Sequence, residues 1–211
     1  MTIASIQIEH SGDELIAGAR SYLYRMLSEA FAFPAQPFAE AVASGGWWEE
    51  WLALTGHLPH ETALDPPPQA DLARLKDAYV STFEVGVGKP PCPLYEGSHR
   101  NGRMKLMEDL VRFYEYFGLQ TNAGDHPDHL CAELEFMHYL AFKEAAAYTH
   151  EGEPGAARRG QRDFLERHLS RWLPKVKTRL ESVKQAGDFY PWLLTAAVDF
   201  TRNDLACLKE K

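Results

Sequence analysis

Apolar positions recur at helical spacing along nearly the whole chain. Leu15, Ala19, Tyr22, Leu23, Met26 and Ala30 define an opening helix, with Ser11 and Glu14 in capping-box positions before it and Pro34 and Pro37 after it. A short aromatic helix is predicted over 45–54, then a Pro-rich connection over 57–70. Leu72, Leu75, Tyr79 and Phe83 mark the next helix. Met104, Met107, Leu110, Val111, Tyr114 and Phe117 mark another, ending at Gly118 in the C′ position. Leu130, Leu134, Met137, Ala141 and Ala145 form a stripe on the helix after that.

Residues 152–160, GEPGAARRG, read as a linker. Phe164, Leu165, His168, Leu169 and Trp172 lead to Pro174, where a helix is expected to break or kink. Val176, Leu180 and Val183 continue the pattern, and Tyr190 to about Leu208 form the last helix. The expectation is an all-α chain, one globular domain over 1–211, with about eight or nine helices.

Between helices, EVGVGKPPCPLYEGSHRNG (84–102) holds too many Gly and Pro residues for a helix and alternates too poorly for a strand. A loop of that length in a compact domain is frequently functional. Further on, GDHPDHLCAELEFM (124–137) gathers histidines and carboxylates around one proline. Asp125 as N-cap, with Asp128 three residues on and Pro127 in the first turn, accounts for part of it as a capped helix start.

Composition narrows the function classes. Lys plus Arg is 22 and Asp plus Glu is 30, a formal charge of −8, which argues against a nucleic-acid surface and favours encounter with basic segments. No apolar run approaches the ~20 residues of a membrane helix. The N-terminal stretch has neither the basic start nor the apolar core of a secretory signal. Cys92, Cys131 and Cys207 are widely spaced, as expected for reduced thiols in a cytoplasmic protein.

Catalytic motifs are weak. There is no G-x-S-x-G elbow, no dinucleotide fingerprint, and GVGK (86–89) lacks the rest of a phosphate loop. Glu135 and His138 have the E-x-x-H spacing of helical di-metal proteins, which makes a di-metal carboxylate enzyme the alternative reading. Glu96 and His99 repeat that spacing, but in a Gly/Pro loop where half of a four-helix site fails. No metal and no cofactor is therefore expected.

DHPDHLCAELEFMHYLA, preceded at a distance by PLYEGSHR and by GARSYLYRMLSEAF in the opening helix, resembles the TorD/DmsD/NarJ family of cytoplasmic chaperones for molybdenum oxidoreductases. The resemblance implies a TorD-like all-helical domain without enzymatic activity. It also implies two partners, the catalytic subunit of a molybdopterin oxidoreductase and its twin-arginine signal peptide, held back from export until cofactor insertion. Asp128 and His129 match the family's Asp-His pair, and Tyr95, Glu96, Gly97 and Ser98 match the facing loop. Arg20 matches a binding arginine of some members. Pro127 adjoins Asp128 directly, where several members insert a residue. Glu133, with Glu96, Asp125 and Asp128, is a candidate to pair with guanidinium groups, and Met104, Met107, Trp47, Trp48 and Tyr95 are candidates for an apolar groove. The resemblance also places a hinge over 119–128, with a monomer and a helix-swapped dimer both left open.

Overall fold

The computed structural model describes residues 12–60, 63–84, 89–122, 124, 126–150 and 152–210. The described residues form nine α-helices and no strand: α1 (Gly12–Phe31), α2 (Gln36–Ser44), α3 (Gly46–Thr55), α4 (Leu72–Tyr79), α5 (Arg103–Tyr116), α6 (Leu130–Thr149), α7 (Gly155–Arg167), α8 (Leu169–Leu180) and α9 (Phe189–Glu210). A π-helical turn, Val80–Glu84, extends α4 over the span that periodicity assigned to one helix.

The frame is the antiparallel pair α1 and α6, the most extensive helix contact in the fold. Its direction is fixed by cross-links that run in opposite senses along the two helices: Thr149 to Glu14, Arg20 to Glu144, and Ser28 Oγ to the Cys131 carbonyl. Small side chains at Ala17, Ala19 and Ala30 allow close approach, while Leu23, Tyr24, Leu27 and Phe31 fill the core. Each large apolar side chain buried in this way contributes about 1.5–3 kcal/mol. Helix α6 also packs on α7, and α9 on α7 and α8. Accordingly Leu130, Leu134, Phe136, Met137, Leu140 and Ala141 are all buried, a wider face than the predicted stripe.

Several helix ends differ from expectation. The capping roles read for Ser11 and Asp125 lie outside the described residues, but α6 starts at Leu130, with His129 as N-cap. Asp128 is therefore outside the helix and not in a capping box. The linker expected over 152–160 shrinks, because α7 begins at Gly155 and buries Ala157, Gly160 and Gln161. The break expected at Pro174 falls earlier, at His168 (φ −121, ψ −95), where the imidazole turns inward and stacks on Phe164. Pro174 then lies inside α8 just past its first turn, where it forgoes the single bond to the Ser170 carbonyl.

Gly118 does what its position predicts. Its φ is +83; its N–H donates to Glu115 O, and the Leu119 N–H donates to Tyr114 O at 2.9 Å. That pair of bonds is a Schellman motif. Met104, by contrast, leaves the stripe assigned to it: Leu106, Leu110 and Tyr114 form the buried face of α5 and Met104 is 89% exposed. Trp47 is core rather than groove, stacked on Trp51 and edge-on to Trp192.

Candidate functional site: the loop at Tyr95 zipped to the start of α6

Glu96 donates its N–H to the Asp128 carbonyl at 2.8 Å, and Leu130 donates to the Leu94 carbonyl at 2.9 Å. These bonds make an antiparallel bridge between Tyr95 and His129. The bridge joins the Gly/Pro loop to the helix start that sequence singled out separately. Tyr95 is followed by a single 3-10 turn, Glu96–Ser98. The turn brings the Gly97 N–H to Asp128 Oδ2 at 3.2 Å. A Cβ on Gly97 would lie 2.9 Å from that oxygen and 3.3 Å from Arg103 Cγ, so the approach requires glycine.

Beneath the bridge the acidic side chains are interior. Glu96, Asp128 and Glu133 are each 0% exposed, whereas a surface that receives guanidinium groups directly would present them. Glu96 accepts from Arg100 Nη1 and from His168 Nδ1, the latter at 2.9 Å. Arg100 also donates to the Arg167 carbonyl at the end of α7. Glu133 accepts from Trp172 Nε1 at 3.0 Å. Burial first, and then the Glu96 charge, push the Glu133 carboxyl well above the usual carboxylate range; the Trp172 bond pulls the other way. The neutral acid can donate to Glu96, while Glu133 Oε1 receives no hydrogen bond from the described residues. Asp128 Oδ1 and His168 Nε2 are likewise buried without a partner among the described residues.

Above the bridge lie the exposed or half-buried groups. Tyr95 packs edge-on against His129 and His126, at ring separations of 4.9 and 5.4 Å. His129 Nδ1 accepts the Cys131 N–H at 3.2 Å, so the neutral ring carries its proton on Nε2. Burial lowers the His129 pKa, against the opposing pull of Asp128. Ser98 is exposed and Pro127 is buried, with the Pro127 carbonyl accepting from Tyr114 Oη at 2.8 Å. Two cavities flank the bridge. One, of about 490 Å³, is lined by residues including His126, Pro127, Glu135 and Tyr139. The other, of about 210 Å³, lies on the Tyr95–His129 side.

Arg20 is elsewhere. It is 3% exposed and makes bonds to Asp204, Glu144 and Gln161, while Tyr24 Oη also donates to Asp204. Arg158 closes the network on Glu144. This buried cluster ties α1 to α6, α7 and α9, so the arginine expected at a binding surface serves as an internal crosslink. Periodicity could not reveal it, because Arg20 falls on the apolar face and its partners lie far along the chain.

The E-x-x-H residues have separate engagements. Glu135 is exposed and accepts weakly from Ser28 Oγ; His138 Nδ1 lies 2.8 Å from Ser21 Oγ and 2.9 Å from its carbonyl. Glu96 faces Arg100 and His168, and His99 Nε2 lies 2.7 Å from the Pro93 carbonyl. Among the described residues no three His, Cys, Asp or Glu side chains converge with metal-binding spacing, and no helix is long and apolar enough to cross a membrane. Arg100, His168 and Trp172 complete the interior of the site; none of them is placed there by the sequence, which assigns His168 and Trp172 only to a helix stripe.

The family model described as nitrate reductase delta subunit matches residues 41–178. The selenate reductase assembly chaperone protein of Thauera selenatis is 41% identical over 135 residues, 62% of this chain and 70% of that protein. The dimethyl sulfide dehydrogenase assembly chaperone protein of Rhodovulum sulfidophilum is 36% identical over 182 residues, 78% of this chain and 71% of that one. The chaperone protein TorD of Vibrio cholerae is 30% identical over 92 residues, 44% of this chain and 41% of that one.

Proposed function

This chain belongs to the nitrate reductase delta subunit family, and on that basis we propose that it is a system-specific assembly chaperone. Its client is the catalytic subunit of a molybdopterin oxidoreductase, bound in the cytoplasm before export. The client's twin-arginine signal peptide docks at the loop zipped to the start of α6, and the complex is held until the cofactor is inserted. Its similar proteins are named assembly chaperones and not enzymes, and the chain is not an enzyme.

The observation that carries the reading is the backbone bridge between Tyr95 and His129. It sets the rings of Tyr95 and His129 against each other at 4.9 Å, at a loop whose own fold is braced by the buried Glu96, Asp128 and Glu133. The buried acids are thus positioning groups, and recognition falls to the aromatic and imidazole rings above them together with the flanking cavities. An amphipathic signal segment, basic at one end and apolar along its length, suits a surface of that kind on a chain of charge −8.

Titrating the purified chain with a synthetic peptide of two consecutive arginines followed by an apolar stretch tests the reading. Micromolar binding that disappears when both arginines become glutamine is the expected result. Failure of the arginine peptide to bind would contradict it.

A further inference from the structure

The cavity of about 210 Å³ beside the bridge is lined in part by Tyr79, Phe83, Glu84, Tyr95 and His129. We infer that it is the seat of one arginine side chain of the docked peptide, with Glu84 as the carboxylate that pairs with the guanidinium. The inference rests on the signal-peptide reading and adds to it a pocket and a charged residue that family resemblance did not supply.

Three properties of the cavity fit a guanidinium. First, the charge at its mouth has the right sign. Glu84 is the last residue of the π-helical turn and is exposed, and it is in none of the ion pairs among the described residues. Glu96, Asp128 and Glu133 differ in every respect, being fully buried, with Glu96 already holding Arg100 and His168.

Second, the walls are rings. Tyr79 and Phe83 meet edge-on at 5.3 Å, and Tyr95 and His129 at 4.9 Å. A planar, weakly hydrated guanidinium stacks on such faces while its N–H groups reach a carboxylate, which a compact ammonium does less well. Third, no cation opposes it among the described lining residues. His129 is the only basic group among the described residues of the lining, and burial favours its neutral form. A volume of about 210 Å³ suits one long side chain, with the second arginine and the apolar stretch outside it.

A double-mutant cycle between protein and peptide tests this, using the full chain and synthetic peptides in which one or the other arginine is replaced by glutamine. Glu84→Gln is expected to weaken binding of the two-arginine peptide about tenfold or more, as for a charged hydrogen bond. For one of the two arginines, replacing it should then cost the variant little, because the partner is already gone. Unchanged binding by Glu84→Gln, or losses that add in full for both arginines, would overturn the cavity assignment and leave the signal-peptide reading standing. If the wild-type chain binds no two-arginine peptide, both fall.

Discussion

Gly97 and Asp128 are fitted to each other: the glycine N–H donates to Asp128 Oδ2 at 3.2 Å, and the oxygen stands 2.9 Å from where a Cβ would be. Asp128 is fully buried, with its other oxygen unpartnered, so it has little room to yield. Gly97→Ala should destabilise the protein by about 1–3 kcal/mol, as small-to-large changes in packed interiors do. Denaturant unfolding reads this directly, and an unchanged midpoint would mean that the loop gives way freely.

His129 has two separable duties, capping α6 through Nδ1 and presenting a ring beside Tyr95. His129→Ala should lose about 0.5–2 kcal/mol of stability with the cap. His129→Asn, whose side chain can also accept from the Cys131 N–H, should recover most of that. Peptide affinity should fall in both variants if the ring is part of the recognition face. Full affinity in His129→Asn would reduce the residue to a cap.

Glu133 makes stability depend on pH in a direction opposite to that of a salt-bridged carboxylate. The folded chain keeps the proton that the unfolded chain releases above its ordinary value of about 4.3. The stabilisation is complete below that pH and declines as pH rises toward the elevated folded-state value. Glu133→Gln fixes the neutral form, with Oε1 still able to accept from Trp172. Its stability relative to wild type should therefore improve steadily from pH 5 upward, measured by unfolding at a series of pH values. A difference that does not move with pH would mean that Glu133 is ionised in the folded state.

Arg20 faces Asp204 and Glu144 at near-zero exposure. Arg20→Met leaves two buried carboxylates with a lost partner and should cost about 3–5 kcal/mol. Below the unfolding transition, peptide affinity should match wild type within about twofold. A variant that stays stable but loses affinity would return Arg20 to the binding surface.

These residues also show how far the sequence could be read. The helices were legible because their buried faces repeat at helical spacing, as in α1, α5 and α6. The two site segments were legible as a breaker-rich loop and a polar helix start, and resemblance to the chaperone family joined them. The inward orientation of Glu96, Asp128 and Glu133 was not legible. A buried carboxylate and an exposed one look alike in sequence, and what distinguishes them here is a set of donors on distant helices: Arg100, His168 and Trp172. The early start of α7 and the break at His168 escaped for a similar reason. Burial of Ala157, Gln161 and His168 against other helices overrode the local signals of glycine and proline.

The most direct test of the whole account is co-purification from the protein's own host. A tagged full-length chain would be captured from cells making the exported oxidoreductase, and bound proteins identified by mass. The expected result is a molybdopterin oxidoreductase catalytic subunit with its twin-arginine leader uncleaved, and much weaker capture when that leader is deleted. Capture of no such subunit under those conditions would contradict the account.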